Sequence, residues 1–303
     1  MALNTIEYAT LLQTKLDQKA VAEMTSGWMD QNTGDVIYKG GNKVKIPTLS
    51  TSGLKDYDKD NGYPEGSVNL SYEEMTMEMD RSTSFLIDAM DVDESNFVAS
   101  ATNVAAEFQS SSVVPEIDAY RYSKVAAYAE TANITTYTPD AKTLFQALKS
   151  DIAAVQDIVG ENMPLICSIN TKVKSQLEEL EKFHKNVEVV NFTQGTINTK
   201  VKSIDNCTLV SVPSARMWDS YIFKDGKAEG EKEGGFIKGT AARQMNWIIL
   251  PQSIVIAVTK QDNMKIIDPA TYQKADAWFI AYRRYHDVWV KANKREQIRV
   301  SRQ

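Results

Sequence analysis

The chain is 303 residues long, with 43% hydrophobic residues, 24% charged residues and a formal net charge of −6. That length predicts two domains, or one with large insertions, and the apolar fraction excludes a disordered or fibrous chain. The negative balance argues against a dedicated nucleic-acid binder, which would carry a basic domain or stripe.

Residues 4–24 place Tyr8, Leu12, Leu16 and Ala20 on one line with Leu11 beside them, which predicts a short amphipathic helix ending near Gly27. Such a helix needs a surface to pack on, in this subunit or a neighbour. From Asp35 the pattern turns to strands: 35–38 and 43–47 flank Gly40-Gly41, and 50–67 is a polar loop carrying Gly53, Gly62, Pro64 and Gly66. Val68, Leu70 and Tyr72 then alternate, the phase slips at Glu73-Glu74, and Met75, Met77 and Met79 resume on odd positions, as a β-bulge would produce. A hairpin of about 50 residues is long for a loop inside a compact domain. It predicts an extension whose partner is another molecule, or else a lid. The methionine stripe reads either as a core face or as a soft contact that readjusts between subunits.

Asp93 can cap a helix continued by Phe97, Ala101, Val104, Ala105 and Phe108. Three serines at 110–112 weaken it, and Pro115 suits the first turn of a renewed helix through Ile117, Tyr120, either Lys124 or Val125, and Tyr128. Thr138 and Pro139 open a helix predicted over 138–160, with Leu144, Leu148, Ile152, Val155 and Val159 facing inward. A buried strand over 164–169, a helix capped by Asn170 and running to about His184, and a strand over 187–190 predict an α/β subdomain. Strands 201–204 and 208–212 flank Asp205-Asn206 as a hairpin. The loop over 224–235 is polar and glycine-rich, without the strand and helix that a backbone phosphate cradle needs on either side. Residues 247–259 read as one strand. Residues 277–291 fit both periods, and their aromatic and β-branched content favours a strand.

Charge is unevenly placed along these elements. Within residues 56–94 twelve acidic residues, including Asp56, Asp58 and Asp60, meet only Lys59 and Arg81. From 281 onward seven basic residues, including Arg283 and Arg284, meet only Asp287 and Glu296. Two solvated faces would account for this; so would acidic and basic segments of neighbouring copies set opposite one another, which steers register more than it adds affinity.

Chemistry-bearing patterns are missing. Asp56, Asp58 and Asp60 alternate as in a calcium loop, but Asn61 stands where the turn glycine belongs and Ser67 where the bidentate glutamate belongs. His184 and His286 are the only histidines, and no G-x-S-x-G, H-E-x-x-H or C-x-x-C occurs. No catalytic residue, metal or cofactor is expected. Cys167 and Cys207 lie in apolar runs and read as reduced core thiols. Neither a leader nor an 18-residue apolar stretch is visible, so neither secretion nor a membrane is expected.

Several segments, in order, carry a resemblance: NFVASATNVAAEF, VVPEIDAYRYSKVA, SIDNCTLVSVPSARM, QMNWIILPQSIV and YRRYHDVWV. The chain resembles the major capsid proteins of tailed bacteriophages over nearly its whole length. That resemblance implies an α+β fold with an N-terminal arm (1–33), an extended hairpin called the E-loop (34–88), a P domain with a long spine helix (89–135 and 245–303) and an α/β A domain (136–244). It also implies self-assembly into hexamers and pentamers of an icosahedral shell around double-stranded DNA, contacted without sequence specificity. Asp56, Asp58, Asp60, Met75, Met77, Met79, Arg283 and Arg284 are the expected subunit contacts. The virion would be its location, after synthesis in the bacterial cytoplasm, and scaffolding, portal and decoration proteins its further partners. Because the arm starts almost at Met1, a separate scaffold, or none, is expected. Lys55 and Lys59 lie where some relatives crosslink subunits. Two other readings stand beside this one: a nanocompartment shell protein of the same fold, and an α/β enzyme with a hairpin lid.

Overall fold

The computed structural model describes residues 24–38, 41–60, 62–94, 101–194 and 197–303. The amphipathic helix expected over 4–24 falls almost wholly outside them. The chain enters through a short helical segment, Gly27–Asp35, and then forms β1 (Ile37–Tyr38), β2 (Lys43–Thr51), β3 (Val68–Thr76) and β4 (Met79–Asp88). Helices α1 (Ala89–Glu94), α2 (Ala101–Phe108) and α3 (Val114–Ala127) follow, then β5 (Ile134–Thr136) and α4 (Leu144–Val159). Next come β6 (Leu165–Asn170), α5 (Thr171–Glu178), α6 (Glu181–Asn186), β7 (Glu188–Gln194), β8 (Ile197–Ile204) and β9 (Cys207–Val212). The chain ends with β10 (Tyr221–Phe223), β11 (Phe236–Lys238), β12 (Met245–Pro251), β13 (Val255–Ile267), β14 (Ala277–Val290) and β15 (Arg299–Arg302).

Seven strands form the main sheet, in the order β5-β15-β12-β6-β9-β8-β7. Both faces are covered, which is why β6 and β12 read as unbroken apolar runs. On one face α4 buries Leu144, Leu148, Ile152 and Val155 against Leu165, Cys167, Trp247 and Ile249. On the other, α3 and the entry segment pack Tyr122, Val125, Trp28 and Met29 against Ile166, Val210, Ile248 and Val300. A second sheet has the order β13-β14-β4, and a third, β1-β2-β3, is the hairpin.

Four local readings change. Ser110–Ser112 do not interrupt the helix: a five-residue π turn, Gln109–Val113, joins α2 to α3, with Pro115 in the first turn of α3. Asp93 lies inside α1 rather than at a cap. Helix α4 starts six residues later than Thr138, because Tyr137 is still held in the sheet. Its N–H donates to Arg302 O at 2.8 Å and its carbonyl accepts from Asn246 Nδ2 at 2.7 Å. The strand expected over 247–259 is two strands in two sheets, divided at Gln252–Ile254 where Asn32 Nδ2 donates to Gln252 O and Val255 O at 2.6 and 2.9 Å. Asn170 does cap α5, accepting from Lys172 N at 3.0 Å, and Asp205 and Asn206 turn the β8–β9 hairpin with φ of 48° and 60°.

The entry segment is core. Met24, Trp28 and Met29 are fully buried, and α3 clamps the backbone around them. The buried Asp118 carboxylate accepts from Thr25 N, Thr25 Oγ1, Ser26 N and Ser26 Oγ, and from Arg216 Nη1 at 2.9 Å. Buried Arg121 forks onto Asp30 at 2.7 and 2.9 Å. From Met24 onward the chain is therefore anchored.

Candidate assembly surfaces

The hairpin is built from one unbroken antiparallel register, from Lys43↔Thr76 to Thr51↔Val68. No bulge divides it. The phase slip at Glu73-Glu74 has another cause: the strands offer apolar side chains on one face near the base and on the opposite face near the tip. At the base Val44 and Ile46, with Met75 and then Met77, pack on Ile256, Val258 and Trp289. Met79 joins the central core beside Trp28. Toward the tip that same face turns polar, with Thr48, Ser50, Asn69 and Ser71. The other face carries Leu49 paired with Leu70, Pro47 with Tyr72, and Val68 with Thr51.

Among the described residues nothing of its own chain covers this second apolar strip. Leu49, Val68, Leu70 and Tyr72 are 63%, 71%, 52% and 47% exposed. The loop beyond adds exposed Leu54, Tyr57 and Tyr63, the two rings edge to face at 5.4 Å. A contiguous apolar strip on a projecting element marks an interaction surface. Its mouth is fixed by Ser52 N donating to Ser67 O and Ser67 N to Ser52 Oγ, both at 2.9 Å. Asp56, Asp58 and Asp60 sit exposed at the tip, and Asp58 Oδ1 accepts from Asp60 N at 2.9 Å as an ordinary turn would require. Lys55 Nζ donates to Glu65 O at 2.7 Å.

The basic residues of β14 find carboxylates at home. Exposed Arg283 forks onto Asp80 at 3.0 and 2.7 Å, and its two hydrogen bonds hold the Asp80 carboxyl below its usual range. Arg284 is buried, donating to Asp262 Oδ2 at 2.6 Å and Thr259 Oγ1 at 3.3 Å. A neighbouring copy can reach Arg283 only by competing with Asp80, while Arg284 is held inside by Asp262 and Thr259. Of the eight expected contact residues, the structure leaves the three aspartates and Arg283 at the surface and Met75 half-buried, while Met77, Met79 and Arg284 are buried.

No protein-family profile and no curated protein matches the sequence. Solved structures do match. The capsid of cyanophage P-SCSP1u superposes with a TM-score of 0.59 at 12% identity, covering 90% of this chain and 86% of that one. The mature capsid of bacteriophage PhiM1 gives 0.55 at 11% identity, with 88% and 83% covered. The virus-like particle from Pyrococcus furiosus gives 0.54 at 12% identity, with 97% and 99% covered. The chain has the bacteriophage capsid-subunit fold.

Asp287 is fully buried and accepts from Tyr120 Oη, Lys124 Nζ and Glu78 N at 2.9, 2.7 and 3.0 Å, tying the hairpin base to α3. Burial, aided by the charges of Arg284, Arg121 and Lys124, pushes the His286 imidazole well below its ordinary pKa, so it is neutral. Cys167 and Cys207 are free and buried, and burial raises the Cys167 thiol. Among the described residues no cluster of His, Cys, Asp or Glu is arranged to hold a metal, and no helix is long and apolar enough to cross a membrane. The strip on the hairpin tip was missed by sequence reading, although its signal was present. Val68, Leu70 and Tyr72 alternate on the parity opposite to Met75, Met77 and Met79.

Proposed function

We propose that the protein is a major capsid subunit that assembles with itself into hexamers and pentamers of an icosahedral shell around phage double-stranded DNA. The observation that carries this reading is the exposed apolar strip on the hairpin tip, carried on a fold shared with capsid subunits. Burying Leu49, Val68, Leu70 and Tyr72 against a neighbour would contribute about 1.5–3 kcal/mol per side chain before the costs of association are subtracted. The hairpin over residues 43–76 is then the E-loop. It lies within residues 34–88, with 1–33 as the N-terminal arm, 89–135 and 245–303 as the P domain and 136–244 as the A domain. Asp56, Asp58 and Asp60 at the tip, with Arg283 beside the sheet edge, adjust register rather than supply the binding energy. Portal and decoration proteins are its further partners, assembly uses a separate scaffolding protein or none, DNA is contacted through non-specific charge, and catalysis plays no part.

Electron microscopy of the expressed protein tests this: capsomers or closed shells are expected, and persistent monomers under all assembly conditions, with scaffold added, would overturn it. The extensive match to the Pyrococcus furiosus particle supports a second reading, a nanocompartment shell. Nucleic acid in natively isolated particles supports the phage reading, and a cargo protein in its place supports the compartment.

A further inference from the structure

The loop over residues 224–235 stands on a fixed neck. Strands β10 and β11 pair from Phe223↔Phe236 to Tyr221↔Lys238. Below them the two arms stay joined by Gly239 N donating to Ser220 O, Asp219 N to Arg243 O and Met245 N to Met217 O, at 3.0, 3.1 and 2.8 Å. The Phe223 ring meets Tyr120 of α3 edge to face at 5.6 Å. Across the neck itself Lys224 N donates to Gly235 O at 3.0 Å. Arg81, held by Glu116 at 2.7 Å, donates to Lys224 O at 2.6 Å and to Gly235 O at 3.2 Å.

Beyond the neck the loop bonds to itself. Asp225 N donates to Glu231 Oε2, Lys227 N to Asp225 Oδ1, Glu231 N to Ala228 O and Gly234 N to Glu231 O. Residues 225–230 are exposed, and a cleft of about 500 Å3 separates this arch from β4 and the π turn. An exposed arch whose backbone is tied only to itself is where a protease can draw chain into its active site without pulling on the fold.

The sequence of the arch selects one bond. Lys224 lies in the neck, where Arg81 holds its carbonyl. Lys232 precedes Glu233, and a carboxylate beside the scissile bond opposes the acidic pocket that receives a lysine. The hairpin tip has the same obstacle, since Asp56 follows Lys55 and Asp60 follows Lys59. Lys227 stands between Gly226 and Ala228.

We propose that the Lys227–Ala228 bond is a processing site for a trypsin-class serine protease, and that the subunit stays folded once it is cut. Water gives its hydroxyl to the Lys227 carbonyl carbon and a proton to the Ala228 nitrogen as the C–N bond breaks. Fragments 1–227 and 228–303 hold together because their strands share sheets. Strand β12 of the second pairs with β6 of the first from Trp247↔Ile169 to Pro251↔Leu165, and β14 pairs with β4 from Ala277↔Asp88 to His286↔Met79. The site is independent of which shell the protein forms.

Limited trypsin digestion of the unassembled full-length protein, read by intact mass and gel filtration, tests it. From Met24 onward the first cut is expected after Lys227, with the two fragments eluting together at the size of the uncut subunit. Lys227→Gln changes one exposed side chain, and should abolish that cut while leaving the unfolding midpoint where it was. Arg81→Ala unties the neck, which limits how far the arch can open, and should hasten the cut about tenfold, the scale of hydrogen bonds to a charged group. A first cut at the hairpin tip, or at any other bond among the described residues, overturns the assignment, as does the same cleavage pattern in Lys227→Gln. Fragments that separate without denaturant overturn the folded, cut state, and an unchanged rate in Arg81→Ala overturns the role of the neck.

Discussion

The base and the tip of the hairpin share two strands and one register, yet they bury opposite faces. Near the base, Val44, Ile46 and Met75 point to Trp289, Ile256 and Val258. Near the tip, Leu49, Leu70, Val68 and Tyr72 lie on the opposite face and are exposed among the described residues. A strand of period two keeps each parity on one side, so a change of apolar parity without a change of register means a change of partner. The base answers to its own subunit; at the tip no described residue covers the strip, and the proposed assembly is what would bury it.

Substitutions separate the two roles, and the largest loss of subunit stability belongs to the base. Trp289→Ala should cost about 3–5 kcal/mol, read from denaturant unfolding of the unassembled subunit. Ile46→Ala, on the hairpin side of the same cluster, should cost about 2–4 kcal/mol by the same measurement. Equal stability in either variant would mean that the base is not anchored as described.

A smaller, pH-dependent effect comes from His286 on the strand beneath. The unfolded chain binds a proton near the ordinary value of about 6.5 and the folded chain only well below it. Subunit stability should therefore fall as pH drops below about 6.5, down to the depressed folded value, and His286→Gln should flatten that slope. Arg283→Ala, which removes an exposed ion pair, should leave the unfolding midpoint nearly where it was.

Sequence reading succeeded where the cause is local. Asn170 caps its helix, and Asp205-Asn206 turn their hairpin, through contacts within a few residues. It failed where distant residues decide. Thr138 and Pro139 have sound helix-start chemistry, but Arg302 and Asn246 keep Tyr137 in the sheet. Asn32 splits what reads as one strand at Gln252. Trp28 and Met29 sit among polar residues in sequence, and only the carboxylate of Asp118 and the guanidinium of Arg121 explain how that segment is buried. The acidic stretch and the basic end were legible as charge, but the pairing of Asp80 with Arg283 inside one chain was not. At the hairpin the alternation was visible and its parity countable, while a periodic pattern alone does not say whether an apolar face meets its own core or another molecule.

The most direct measurement pairs assembly with subunit stability in one variant, Leu49→Lys with Leu70→Glu, which places opposite charges across the hairpin. Both side chains are exposed, so unfolding of the unassembled subunit should stay within about 0.5 kcal/mol of the parent. Electron microscopy of the same preparation should show no shells under conditions in which the parent forms them. Normal shells from a normally folded double variant would contradict the assignment of the hairpin tip as the surface that holds neighbouring subunits together.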